Sequence, residues 1–212
     1  MLPLVVWAAP AAVAAVPTGE RPVAPDAEAR PRRRAGLVVG VALGGGLGGG
    51  SGYPNNSLEI GDPNYYSASG WMFGTNETVL LMGALVDYLN FGFWFSHAAF
   101  RNGGWRSNGN GGGLRVEAFP LIQLWPRLDG LGLLAQFGIG SANLTSTRPD
   151  VPEAEGTQSF IGAGAFYEWA FGRLLGGHFA VGPSLEYDTI FSQPFERHGL
   201  VATARVVFYG GP

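Results

Sequence analysis

The histidines are the first residues to test for chemistry, because the chain has no cysteine and therefore no thiol nucleophile, thiolate ligand or disulfide. His97 follows Ser96, and His198 lies in the last turn-rich break, near Asp188 and Ser192. A serine, histidine and carboxylate set requires the imidazole to bridge nucleophile and acid by hydrogen bonds. Ser96 and His97 fall in an apolar segment that reads as a strand, where consecutive side chains leave on opposite faces. They cannot act on one another, and no catalytic residue is assigned.

Two further stretches invite a ligand and do not hold one. The run GGGLGGGSG, residues 44–52, has the glycine content of a phosphate loop but lacks the Lys followed by Ser or Thr that would grip phosphate and metal. It reads as a flexible strand exit. Asp150, Glu153 and Glu155 stand together in RPDVPEAEG, where they could hold a divalent ion or the cations that bridge lipopolysaccharide, but no metal-loop spacing is present. A solvated acidic loop is expected, with no metal and no cofactor. Lys and Arg total 13 against 16 Asp and Glu, so nucleic acid is not an expected partner.

The charges that carry information are those that alternate with apolar residues. Arg115 and Glu117 alternate with Leu114, Val116 and Ala118. Glu186 and Asp188 alternate with Val181, Pro183, Leu185 and Tyr187, and Arg205 is set between Ala204 and Val206 in HGLVATARVVFYGGP. One face of each segment is greasy, and the other is small, polar or charged.

Eight such segments must position these groups: 36–46, 78–86, 91–100, 112–121, 131–142, 158–170, 178–191 and 200–209. Only 14% of the chain is charged, against about 25% in an ordinary soluble domain. Mean hydropathy is +0.13. No unbroken apolar run reaches the roughly 18 residues of a membrane helix. The other way to satisfy every backbone group inside lipid is a closed β-barrel. The fold class expected is therefore all-β: an eight-stranded antiparallel up-and-down transmembrane barrel.

Orientation follows from the glycines. A soluble barrel would turn its apolar rows inward and show Lys, Glu and Thr outside, whereas here the row opposite the apolar one is rich in glycine. Eight strands leave a lumen just wide enough for side chains to fill. Small residues with a few paired long ones suit that space, so the apolar rows are placed against lipid. Arg115, Glu117, Glu186, Asp188 and Arg205 then form a lumen charge network that must pair internally, since an unpaired buried charge costs several kcal/mol. Pro183 has no N–H to give a ladder, so a bulge or strand end is expected beside it. Segments 78–86 and 91–100 are apolar on both faces, and their inward rows stay open.

Residues 1–16 read as a signal peptide with Ala15 before the cleavage point, and 17–34 as a Pro/Arg-rich disordered linker carrying Arg30, Arg32, Arg33 and Arg34. The barrel occupies 35–212.

With eight strands, loops of alternating length and a last strand ending in Phe208 and Tyr209, the chain from about Ala35 resembles the small eight-stranded outer-membrane barrels of Gram-negative bacteria. The resemblance implies a bacterial outer-membrane location, with outer-membrane lipids, lipopolysaccharide and the barrel-assembly machinery as partners. Tyr167, Trp169 and Phe208 suit an interfacial aromatic girdle. Tyr53, Tyr65, Tyr66 and Trp71 in the longest loop are the candidate contact surface for an unknown ligand. A structural or surface-contact role without a wide pore is expected. The alternatives are a lipid-modifying outer-membrane enzyme, as some barrels of this class are, and a soluble lipocalin-like ligand-binding barrel.

Overall fold

Side chains that alternate between a buried and an exposed face along each strand build a single closed sheet from the described chain, residues 34–174 and 176–211 of the computed structural model. The strands are β1 (Gly36–Gly52), β2 (Ser67–Ala68), β3 (Met72–Val86), β4 (Leu89–Arg101), β5 (Trp105–Ala118), β6 (Leu131–Ser146), β7 (Ala154–Tyr167), β8 (Trp169–Leu174), β9 (Gly177–Phe191) and β10 (Phe195–Tyr209). The short β2 pairs only with the end of β1, and β7 with β8 forms one stave, so the barrel has eight staves. All neighbours are antiparallel, and β1 closes the ring on β10 from Val38↔Tyr209 to Gly52↔Phe195.

Ladder partners followed once around the barrel run from Gly199 through Asp188, Gly162, Gln136, Arg115, Gly92, Met82 and Val38. They return to β10 at Tyr209, ten residues along the same strand. That stagger is what tilts the strands of a closed barrel. The end carrying Gly36 and Tyr209 is termed proximal, and the opposite end distal.

The inside and outside rows separate cleanly. Leu43 and Ile139 are 59% and 72% exposed, whereas Trp94 and Arg205 are 0% and 1% exposed. The two staves whose faces the sequence left open are resolved. Asn76, Thr78, Leu80 and Met82 of β3 and Asn90, Trp94, Ala98 and Phe100 of β4 point inward, while Val79, Leu81, Phe91, Phe93 and Phe95 point outward. Outward apolar side chains from Leu131 to Ile139 span about 20 Å along the barrel axis, taking a typical strand rise and tilt. Above them the outer wall turns polar, with His97, Asn110, Ser141 and Thr157 in one ladder row.

Several strands are longer than expected, chiefly at the distal end. The glycine run 44–52 is not a strand exit but ladder, paired with residues 195–203 of β10. Its inward glycines make room for rings: a Cβ on Gly48 would strike Phe100, and one on Gly50 would press on Phe195. The Asn/Gly-rich stretch before residue 112 is likewise strand from Trp105 onward, leaving only 102–104 as a turn. A Cβ at Gly111 would lie 2.8 Å from the Trp94 ring and 3.0 Å from Phe160, two rings whose centroids are 4.4 Å apart at a 48° tilt. Glycine thus replaces turn signal with space for the core.

Pro183 has the expected strand break beside it. The β9 ladder stops at Phe166↔Ser184 and resumes at Trp169↔Val181 in the same register, so Tyr167 and Glu168 lie unpaired opposite Pro183 and Gly182. The Glu168 N–H bonds instead to the Gly130 carbonyl at 2.9 Å, extending the ladder to β6. At the proximal end the β5–β6 connection, 119–130, is long rather than tight. Phe119 packs there with Leu134 and Phe166 to cap the lumen. Toward the distal end the lumen is filled by Phe100, Leu144, Phe160, Ile190 and Phe195.

Candidate functional site

The proximal half of the lumen holds a chain of alternating charges. Glu117 accepts from Arg205 through two parallel bonds, Nη1 to Oε1 at 2.9 Å and Nη2 to Oε2 at 3.0 Å, and from Arg115 Nε at 2.9 Å. Arg115 continues to Glu186 at 3.0 Å and to the Gln136 amide oxygen at 3.0 Å. In the other direction Arg205 Nη2 lies 2.9 Å from Glu168, and Glu168 lies 3.6 Å from Arg34 Nε. The order Arg34, Glu168, Arg205, Glu117, Arg115, Glu186 alternates in sign and sums to no net charge.

Neutral groups bond to much of the remaining capacity. The Tyr209 hydroxyl donates to Glu168 at 2.8 Å, Asn90 Nδ2 to Glu117 at 3.3 Å, and the Ser184 hydroxyl to Glu186 at 3.0 Å. Ser184 and Thr203 share a 2.6 Å bond. The Arg205 guanidinium also lies over the Phe166 ring, 3.9 Å from its centroid. Charge-assisted and bidentate bonds of this type are the strong ones, and they favour planar Arg.

Of the five lumen charges read from the sequence, four meet directly. Asp188 does not join them: its Oδ1 has no hydrogen-bond partner among the described residues, and its electrostatic partner is the inward Arg197. Arg197 lies 5.0 Å over Phe100 and crowds Gly109. Glu168, buried on the inward side of its stave, is a member of the chain that the five did not include. Two buried arginines escape sequence reasoning: Arg197, which sits in the turn-like stretch SQPFERHG, and Arg34, the last residue of the linker reading. Arg34 is instead 5% exposed, 3.5 Å from the centroid of Phe119, with Nη2 3.3 Å from the Asp129 carbonyl. Arg30, Arg32, Arg33 and the leader 1–16 lie outside the described residues. A proximal recess of about 270 Å³ lies among Arg34, Asp129, Glu168, His178 and Tyr209.

On the outer wall Tyr167 and Trp169 pack at 4.9 Å near the proximal end, and the Tyr167 hydroxyl donates to the Arg127 carbonyl at 3.1 Å. Phe208 packs on Phe179 at 5.0 Å, and Phe179 on Phe171 at 6.1 Å. Two further phenylalanines, Phe171 and Phe179, thus join this outer-wall aromatic cluster. At the distal end Tyr53 and Tyr66 meet edge to face at 5.3 Å. Tyr65, Tyr66 and Trp71 are exposed. Ser67 of that loop donates to the Pro152 carbonyl at 2.6 Å, and Asn102 Nδ2 reaches the Ser69 and Trp71 carbonyls. The long loop is thus tied to the adjacent β4–β5 turn and, across the barrel mouth, to the β6–β7 connection.

The histidines are divided. Ser96 faces inward and His97 outward, where its Nδ1 lies 2.8 Å from Asn110 Oδ1. His198 is on β10 rather than in a loop, and bridges the Tyr187 hydroxyl at 2.7 Å and Glu196 at 3.0 Å. Asp150 and Glu153 are exposed loop residues, whereas Glu155 belongs to β7 and points outward.

No protein-family model matches the sequence, and no curated protein sequence matches it. Among solved structures the barrel is similar to Ail, the attachment invasion locus protein of Yersinia pestis, at 11% identity over 82% of this chain and 99% of that one, with a TM-score of 0.52. Neisserial surface protein A is 10% identical over 81% of this chain and 97% of its own, with a TM-score of 0.43. The amino-terminal barrel domain of Pseudomonas aeruginosa OprF is 16% identical over 81% and 98%, with a TM-score of 0.40. The Ail likeness shows a shared fold: the chain has the architecture of the small eight-stranded outer-membrane barrels.

Proposed function

We propose that this barrel spans the outer membrane of a Gram-negative envelope and serves a structural or surface-contact role through its distal loops. The observation that carries the reading is the partition of side chains: an unbroken apolar outer band, and guanidiniums and carboxylates neutralising one another on the axis. A soluble ligand-binding barrel would present the reverse. The outer apolar rows with aromatics at their proximal edge match the lipid-facing band and interfacial girdle of such proteins. Lipids and lipopolysaccharide are its surroundings, and the assembly machinery that inserts such barrels is its partner.

Rings and paired charges fill the axis, which argues against a wide diffusion path. Tyr53, Tyr65, Tyr66 and Trp71 are the proposed contact surface. A gel comparing boiled and unboiled detergent-folded protein, together with conductance across a planar bilayer, tests both parts. Anomalous migration without boiling and no large-pore current are expected. Partition into detergent-free water, or a large steady conductance, overturns the proposal.

A further inference from the structure

Just above the apolar band, the outer wall of β5, β6 and β7 forms a cleft of about 320 Å³. Its floor is Asn108, Asn110, Ser141, Asn143, Glu155 and Thr157. Asn55 of the long distal loop lines it too. The floor side chains occupy two in-register ladder rows, Asn110–Ser141–Thr157 and Asn108–Asn143–Glu155. They stand on strands, so their spacing is set by the sheet rather than by a loop.

Two internal bonds orient the amides. Asn143 Oδ1 accepts from the Asn108 backbone N–H at 3.0 Å, and His97 Nδ1 lies 2.8 Å from Asn110 Oδ1. Each bond occupies a carboxamide oxygen and leaves the NH₂ group of the same side chain unspent. The Ser141 and Thr157 hydroxyls, the Asn108 carboxamide and the Glu155 carboxylate have no protein partner among the described residues. The cleft therefore offers several donors, two hydroxyls that can do either, and a carboxylate acceptor.

We propose that this cleft binds an uncharged, hydroxyl-rich saccharide. Vicinal sugar hydroxyls donate and accept together, which is the pattern that carboxamides, hydroxyls and a carboxylate complement. Among the described residues no Lys or Arg lines the cleft, and Glu155 would repel phosphate or sulfate, so an anionic ligand does not fit. The volume is at the low end for a ligand pocket, about 300–1,000 Å³, and suits one or two sugar rings. The sugar could belong to a free glycan or to the headgroup of an outer-leaflet glycolipid. Only the second source rests on the membrane placement proposed above.

The test is an NMR titration of side-chain amides in the full, detergent-folded chain. Chitotriose and maltotriose are the free probes; nanodiscs containing a dihexosyl diacylglycerol, compared with phosphatidylcholine alone, probe the glycolipid source. Saturating shifts at Asn108, Asn110 and Asn143 with millimolar sugar are expected, weakened about tenfold by Thr157→Val with Asn143→Leu. Both positions face outward, Thr157 exposed and Asn143 half-buried, and retained heat-modifiability shows that the variants are folded. Shifts with free sugar alone assign a soluble glycan, and shifts in glycolipid nanodiscs alone assign the headgroup. No saturable shift with either, or shifts that glycerol reproduces or that the double variant leaves unchanged, overturns the proposal while leaving the barrel's placement intact.

Discussion

Arg205 and Glu117 form a two-bond fork across the lumen although their strands, β10 and β5, are not neighbours. The pair therefore ties opposite walls together. Removing one member leaves the other buried without its counter-ion, which costs about 3–5 kcal/mol. Arg205→Met or Glu117→Gln should each lower unfolding stability in detergent by that order. The double variant should recover much of the loss. Losses that simply add in the double variant would show that the fork is not the stabilising unit.

Arg34 shares Glu168 with Arg205 and the Tyr209 hydroxyl, so its loss leaves Glu168 with two partners. Arg34→Ala should destabilise the barrel less than Arg205→Ala does. Denaturant titration of the two variants side by side gives the ranking, and the reverse order would displace Arg34 from the chain of charges.

Lipid contact is testable from outside. Leu185 lies within the apolar band, 54% exposed, while Thr75 sits on the polar belt. Leu185→Arg should cost about 2–4 kcal/mol in a bilayer and Thr75→Arg about 0–1 kcal/mol. Equal costs, read by urea unfolding in lipid vesicles, would place the bilayer elsewhere.

Gly111 exists to admit the Trp94 and Phe160 rings. Gly111→Leu should overpack the lumen and cost about 1–3 kcal/mol. The same change in a Trp94→Gly background should be tolerated far better, because the space is then vacated. Thermal unfolding of the three variants decides the point.

His198 joins a phenol to a carboxylate, and His97 an amide, and neither bond reaches a serine. Expression of His97→Ala and His198→Ala should leave the acyl pattern of lipid A the same as with the parent chain. A mass-spectrometric difference confined to one variant would establish the lipid-modifying alternative.

Strand parity is legible in the sequence on every stave except β3 and β4, because outward apolar side chains alternate there with small, polar or charged ones, and burial follows that parity through Arg115, Glu117, Glu186 and Arg205. Distal strand ends were not legible. Gly44–Gly52 and Asn108–Gly113 have turn composition, and only the rings of Phe100, Trp94 and Phe195, supplied by other staves, explain why glycine belongs in those ladders. Arg34 looked like linker for a similar reason: the partners that bury it, Phe119 and Glu168, come from distant sequence. Asn110 and Asn143 carried no motif at all, since their significance lies in two strands set side by side.

The ring closes between its first and last staves, β1 and β10. A nascent chain that has not yet emitted Arg205 has Glu117 and Glu168 but lacks the cation between them, and owns no enclosed axis in which to keep them. Such high contact order makes completion a late, all-at-once event. Until it happens the greasy rows must be sheltered by something other than the protein itself.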